Sequence, residues 1–135
     1  MEKDQKYTVL VVEDEIPLQN AIRDKLETNN FLVLTARSVE QAEKHLQDVD
    51  SIDVIWLDHY LIGGETGLDF LVKLKNNKNW KKIPVFVVSN TATTTKVASY
   101  LTLGADKYYT KSDYQLEQII SDIEVIMKSE KENEK

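Results

Sequence analysis

Short, nearly continuous apolar runs alternate along this chain with longer segments in which apolar residues recur at helical spacing. Tyr7–Val12 (YTVLVV) predicts a strand buried on both faces. Leu18, Ile22 and Leu26 follow at intervals of four, one face of a helix, with Pro17 tolerated in its first turn. Phe31–Thr35 predicts a second strand. Ser38 and Gln41 have the spacing of a capping box, and Ala42 and Leu46 continue on one helical stripe. Ile52–Leu57 (IDVIWL) predicts the third strand. Thr66 is the expected cap of a helix carrying Leu68, Leu71, Val72 and Leu74. Ile83–Val88 is the fourth strand, with Pro84 at its start, where a missing N–H is tolerated. Thr94–Leu103 predicts a fourth helix closed by Gly104, and Lys107–Thr110 a short fifth strand. Leu116, Ile119, Ile120, Ile123 and Ile126 form the clearest helical stripe of all. Residues 1–127 thus read as one folded body, and the polar run Lys128–Lys135 (KSEKENEK) as a tail expected to fray.

No fixed-period repeat underlies this alternation. Five strands and five helices in turn imply an α/β fold whose parallel sheet is covered on both faces and connected by right-handed crossovers. Such open sheets bind ligands beyond the carboxyl ends of their strands, so polar residues there are where chemistry is expected. Strand 1 runs into Glu13, Asp14 and Glu15, strand 3 ends on Asp58, strand 4 on Ser89 and Asn90, and strand 5 on Lys111. If strands 1 and 3 are neighbours, three acidic groups meet near Asp58. Two like charges ~4 Å apart repel by roughly 1 kcal/mol in water and about 4 kcal/mol at an effective dielectric of 20. The cluster therefore calls for a cation or a raised pKa, and hard carboxylate oxygens suit Mg²⁺. Each residue alone has a plainer reading. Glu13 and Asp14 could simply cap the next helix, as Glu15 is expected to do, Ser89 could be a turn residue, and Lys111 a solvated charge.

Composition narrows the field. A chain of 135 residues fits one domain, and the absence of cysteine excludes disulfides, thiolate metal sites and cysteine nucleophiles. With 17 basic and 23 acidic side chains the formal charge is 17 − 23 = −6, which argues against direct nucleic-acid binding. The tail balances Lys128, Lys131 and Lys135 against Glu130, Glu132 and Glu134, so the excess lies in residues 1–127. No apolar run reaches membrane-spanning length and the first residues, MEKDQKYTVL, lack a secretory apolar stretch, so a cytoplasmic protein without membrane contact is expected.

The fragments VLVVEDE (Val9–Glu15), VIWLDHYL (Val54–Leu61), VVSN (Val87–Asn90) and GADKYYTKS (Gly104–Ser112), in this order, resemble the receiver domain of two-component response regulators, over about residues 7–127. The resemblance implies a flavodoxin-like, doubly wound five-stranded sheet in the order 2-1-3-4-5, an order known for the chemotaxis regulator of this family. It implies a signalling switch and not a conventional enzyme, one that at most catalyses its own phosphotransfer and dephosphorylation. Asp58 corresponds to the phospho-acceptor, and Glu13, Asp14, Asp58 and the backbone carbonyl of Tyr60 to the ligands of Mg²⁺ or another divalent cation such as Mn²⁺. Lys111 corresponds to the phosphoryl-pairing lysine, Ser89 to the switch hydroxyl and Tyr108 to the switch aromatic. Implied partners are a sensor histidine kinase or histidine phosphotransfer protein and a downstream target or output domain. The face of helix 4, strand 5 and helix 5 would carry the response and leaves a homodimer open.

Some positions depart from the family's commonest form. Ile62 and Ser112 stand where prolines are usual: at the first, Gly63 and Gly64 are expected to make the turn after Asp58, and at the second no cis bond is expected. Asn90 is larger than usual, and Tyr60 and Thr91 flank the site. His59 is expected to point away from Asp58 by strand alternation, towards solvent or the neighbouring loop, with no catalytic role. These departures keep alive a second class, a pseudo-receiver that is never phosphorylated and acts as an interaction adaptor. A third class, a flavodoxin-like cofactor binder, ranks last, because Glu13–Leu18 (EDEIPL) is acidic where a phosphate-cradling loop would be needed.

Overall fold

Strand β1 (Thr8–Val12) is flanked on one side by β2 (Leu32–Ala36) and on the other by β3 (Val54–Leu57), and β4 (Val85–Ser89) and β5 (Lys107–Thr110) extend the sheet beyond β3. The computed structural model describes residues 6–90 and 93–133. All four strand pairings are parallel, giving the order β2-β1-β3-β4-β5 and placing β2 at an edge. The alternating pattern implies the parallel sheet, and the resemblance to receiver domains implies this doubly wound order. The helices between strands are α1 (Ile16–Thr28), α2 (Val39–Asp48), α3 (Gly67–Lys75), α4 (Thr94–Thr102) and α5 (Leu116–Asn133).

The pleat divides each strand's side chains between two cores. Leu10, Val12, Ile55, Leu57, Val85 and Val87 pack on one face against Ala42 and Leu46 of α2, Phe70, Leu71 and Leu74 of α3, and Tyr100 of α4. Val9, Val11, Val54, Trp56, Phe86 and Val88 pack on the other against Ile22 and Leu26 of α1 and Ile119, Ile120, Ile123 and Met127 of α5. Each fully buried aliphatic side chain contributes about 1.5–3 kcal/mol, so both stripes are needed to hold the sheet between its helical layers.

Caps fix where the helices begin. Ser38 Oγ accepts a hydrogen bond from the Gln41 amide, while Gln41 Oε1 accepts from the Arg37 amide, one residue ahead of a standard box. Thr66 and Asp69 form a reciprocal capping box that starts α3. Glu15 occupies the N-cap position of α1, but its side chain makes no capping bond. Gly63, Gly64 and Gly104 all have positive φ, near +94°, +93° and +108°. The first two make the turn after Asp58 that proline would otherwise shape. Strand boundaries shift by one or two residues from the sequence pattern, and α5 runs past Met127 to Asn133. Its Lys and Glu residues are good helix formers, so a polar run can prolong a helix already anchored upstream.

Gly67, the first residue of α3, is pressed against the carbonyl of Asp58, and a Cβ there would also lie 2.8 Å from the Tyr100 hydroxyl. Gly67→Ala should therefore destabilise the fold by about 1–3 kcal/mol, the cost of overpacking a site that meets backbone. Chemical denaturation would read this, and an unchanged midpoint would show that the 58–67 loop can yield.

Candidate functional site

Parallel pairing brings the ends of β1 and β3 side by side, Val12 against Leu57, so the residues that follow them share one pocket. The backbone there is tightly held. The Glu13 amide donates to Ala36 O at 2.9 Å and the Asp58 amide to Val12 O at 3.0 Å. Gln19 Nε2 donates to Glu13 O at 2.8 Å and to Ala36 O at 3.2 Å, and Arg37 Nε to Asp14 O at 2.9 Å. The edge of the loop after Asp58 is strapped to the sheet by the Ile62 amide, which donates to Arg37 O at 3.1 Å.

Carboxylate oxygens of Glu13, Asp14 and Asp58 lie within 4.8 Å of one another. Glu13 and Asp58 are buried and Asp14 is half-buried. Lys111 answers this charge from the end of β5. Its Nζ lies 3.0 Å from Glu13 Oε1 and 3.2 Å from Asp58 Oδ2. The second oxygens are also engaged: Glu13 Oε2 accepts from the Glu15 amide at 3.0 Å, and Asp58 Oδ1 from the His59 amide at 2.7 Å. Burial, and then the neighbouring Asp58 charge, push the Glu13 carboxyl up to about 7. Burial works against the Lys111 ammonium, but Asp58 and Glu13 together outweigh it and hold its pKa above the ordinary lysine value.

One ammonium facing a group of carboxylates leaves negative charge in excess, and every donor atom is a hard oxygen. Glu13, buried and short of neutralising charge, is the observation that fits a resident divalent cation. Mg²⁺ or Mn²⁺ suits this donor set better than a softer metal.

Ser89, fully buried, ends β4, and Tyr108 lies on the adjacent β5, paired with Val87. Burial raises the Tyr108 phenol, while a hydrogen bond with Ser89 acts in the opposite direction, so the two hydroxyls are already in contact. The backbone couples the same strands, with the Lys111 amide donating to Ser89 O at 2.9 Å. Tyr109 is core packing: it stacks on Phe86 and its hydroxyl donates to Asp122 Oδ2 at 2.6 Å. Asn90 and Ser112 are exposed, and Thr91 lies outside the described residues.

His59 corrects the sequence reading. It is buried, not solvent-facing, and its Nδ1 lies 2.6 Å from the Tyr100 hydroxyl. Strand alternation fails here because the chain leaves the extended state at Leu57 and bends at His59. Burial, reinforced by the Lys96 cation, holds the imidazole below its ordinary pKa and keeps it neutral. Tyr60, two residues after Asp58, is largely exposed, and Lys96 Nζ donates to its hydroxyl at 3.2 Å. Neither Lys96 nor Tyr100 stood out in the sequence. Their spacing of four on α4 was a signal, but it lacked meaning until the fold set α4 against the 58–67 loop.

The model of the response regulator receiver domain family matches residues 9–133. The phosphate regulon transcriptional regulatory protein PhoB of Escherichia coli is 31% identical over 120 residues, covering 89% of this chain and 51% of PhoB. The chain thus spans about half the length of that curated relative. Two solved structures are 25% identical. The phosphorylated cyanobacterial phytochrome response regulator RcpA has a TM-score of 0.77, covering 90% of this chain and 91% of its own. The Mn(2+)-bound form of response regulator Rcp1 has a TM-score of 0.76, covering 87% and 91%. No helix among the described residues is long and apolar enough to cross a membrane.

The shift at Glu13 has a measurable sign. Its folded pKa of about 7 exceeds the ordinary 4.5, so the native state holds this proton more tightly than the unfolded chain. With divalent cations chelated, Glu13 should make the protein lose stability as pH rises from about 4.5 to about 7. Thermal melts across that range should show the slope in wild type and a flatter profile in Glu13→Gln. Equal slopes would place the destabilising charge elsewhere.

Proposed function

Since this chain belongs to the response regulator receiver domain family, we propose that it is a phosphorylation-activated signalling switch whose acceptor is Asp58. The observation that carries this reading is the pocket itself, in which Lys111 Nζ lies 3.2 Å from Asp58 Oδ2 beside Glu13 and Asp14. An oxygen of Asp58 attacks the phosphorus of a phosphohistidine on a sensor kinase or phosphotransfer protein. The P–N bond breaks, its electrons return to the donor imidazole, and Asp58 becomes an acyl phosphate. There is little covalent work for side chains beyond this, so catalysis is positioning and charge stabilisation.

Glu13, Asp14, Asp58 and the Tyr60 carbonyl are the residues that would hold the cation. Bound there, Mg²⁺ neutralises the crowded carboxylates and shields the attacking oxygen from the phosphoryl charge. The Mn(2+)-bound Rcp1 and phosphorylated RcpA structures support this assignment by similarity. Lys111, already directed at Asp58, pairs with phosphoryl oxygens as they arrive. Ser89 exchanges its bond with Tyr108 for one to the phosphoryl group, and Tyr108 repacks behind it. Reversing a 1:99 population requires roughly 5.5 kcal/mol of differential stabilisation, within reach of a few charge-assisted hydrogen bonds combined with that repacking. The response is read on α4, β5 and α5, by a downstream protein, an output domain or a second copy of the chain.

Incubation with Mg²⁺ and acetyl phosphate should add one phosphoryl group, detected by intact mass, and Asp58→Ala should lose it entirely. A folded wild type that no donor modifies would instead support the adaptor reading. The placement of Tyr60, with its hydroxyl held by Lys96, carries a second expectation. An aromatic ring beside the acceptor obstructs hydrolytic water, so the acyl phosphate should be long-lived. Tyr60→Asn should shorten its lifetime about tenfold, equivalent to ~1.4 kcal/mol in the barrier. Phosphate release from the purified protein measures this, and an unchanged lifetime would remove Tyr60 from the account.

A further inference from the structure

Helix α4 touches the segment after Asp58 at two consecutive residues. Lys96 and Tyr100, four apart, share one face of the helix. The Tyr100 hydroxyl lies 2.6 Å from His59 Nδ1, and the His59 and Tyr100 rings meet edge to face with centroids 5.7 Å apart. Lys96 Nζ lies 3.2 Å from the Tyr60 hydroxyl and 4.9 Å from the centre of its ring. His59 and Tyr60 in turn meet edge to face at 4.7 Å, so the two contacts form one continuous cluster.

Tyr100 is the one buried residue of α4, so the attachment of this helix to the core is concentrated there. Its hydroxyl also closes on Gly67, where a Cβ would come within 2.8 Å. The Gly67 amide donates to His59 O at 2.8 Å. A single buried hydroxyl therefore stands where the two ends of the 58–67 loop are drawn together. Phenylalanine would fill the same volume. The hydroxyl adds a directed bond in a place where an unpaired polar group is costly.

We propose that Tyr100 and Lys96 form a two-point clamp that positions the acceptor segment for phosphoryl transfer and ties it directly to α4. Tyr100 and His59 act through Asp58 and the Tyr60 carbonyl, so they are positioning residues and do not touch the reacting atoms. The proposal rests on the receiver reading above and adds a direct connection from the acceptor segment to α4, whose Tyr100 ring also lies 5.6 Å from that of Tyr108. Ser89 and Tyr108 lie on β4 and β5, whereas the clamp joins the side chains of the two residues after Asp58 to α4. Coupling of this kind is reciprocal, so a partner that seats on α4 would also retune the reactivity of Asp58.

The test compares wild type, Tyr100→Phe and Lys96→Met. Tyr100→Phe keeps the ring, and Lys96 lies at the surface, where methionine cannot prevent folding. Two readouts are needed: amide hydrogen exchange along the chain, and the rate of acetyl phosphate modification with Mg²⁺ at saturating and at limiting donor. In Tyr100→Phe, exchange over residues 59–67 should quicken about five- to tenfold, the effect of losing one net hydrogen bond, while β1 and α5 stay unchanged. The rate at saturating donor should fall by a similar factor, with half-saturation unmoved. Lys96→Met should do the same more weakly. Exchange over 59–67 that is unchanged in both variants would overturn the clamp. So would faster exchange with an unaltered modification rate, since the segment would then be held without being positioned. A wild type that accepts no phosphoryl group sinks the receiver reading separately, and the exchange comparison still decides whether Tyr100 holds the segment.

Discussion

Everything at this site follows from buried carboxylates held close together against one ammonium. Glu13 and Asp58 are taken from water at the ends of adjacent strands, and Lys111 reaches both within 3.2 Å. Such a group is unfavourable when left alone, as the raised pKa of Glu13 records. The protein holds it together by stiffening the surroundings. Backbone amides of Glu13 and Asp58 are bound to neighbouring strands, and Gln19 and Arg37 secure the carbonyls of Glu13, Ala36 and Asp14. The strand ends that carry the carboxylates are thereby fixed in place, and fixed charges are the main way such a site stabilises charge without reorganising.

The two faces of the sheet serve that pocket differently. On one side α1 and α5 cover Trp56 and Phe86, with Tyr109 stacked on Phe86 and hydrogen-bonded to Asp122. On the other, α4 reaches the core mainly through Tyr100, whose ring lies 5.6 Å from that of Tyr108. The helix beside Tyr108 is thus also the one with a single buried anchor. An element attached at few points is the one whose position a local change can bias. That anchor also bonds to the residue after Asp58, so the carboxylate pocket and α4 are mechanically adjacent.

Much of this was legible in the residues. Alternating apolar runs gave the α/β class because two-sided burial in a parallel sheet requires them, and the glycines after Asp58 marked the turn that their positive φ values display. The candidate residues Glu13, Asp14, Asp58, Ser89 and Lys111 were readable because they follow apolar strands, and parallel strands present their carboxyl ends at one edge of the sheet. The pattern did not show how far α5 runs into the polar residues after Met127, because polarity by itself does not end a helix. His59 was misread because alternation was carried two residues beyond the strand.

The sequence by itself determined which residue types stand at the strand ends and hence which chemistry the chain can support, since charge and hydrogen-bonding capacity belong to side chains wherever they lie. Only the tertiary structure decided which of them meet. Glu13 and Lys111 are almost a hundred positions apart, and their 3.0 Å contact exists because β1, β3, β4 and β5 lie in parallel register. The burial that drives Glu13 towards a pKa of about 7, and the bond from Tyr100 to His59, likewise depend on how layers pack. Desolvation and directed contacts are properties of the space between elements, which local spacing along a chain does not encode.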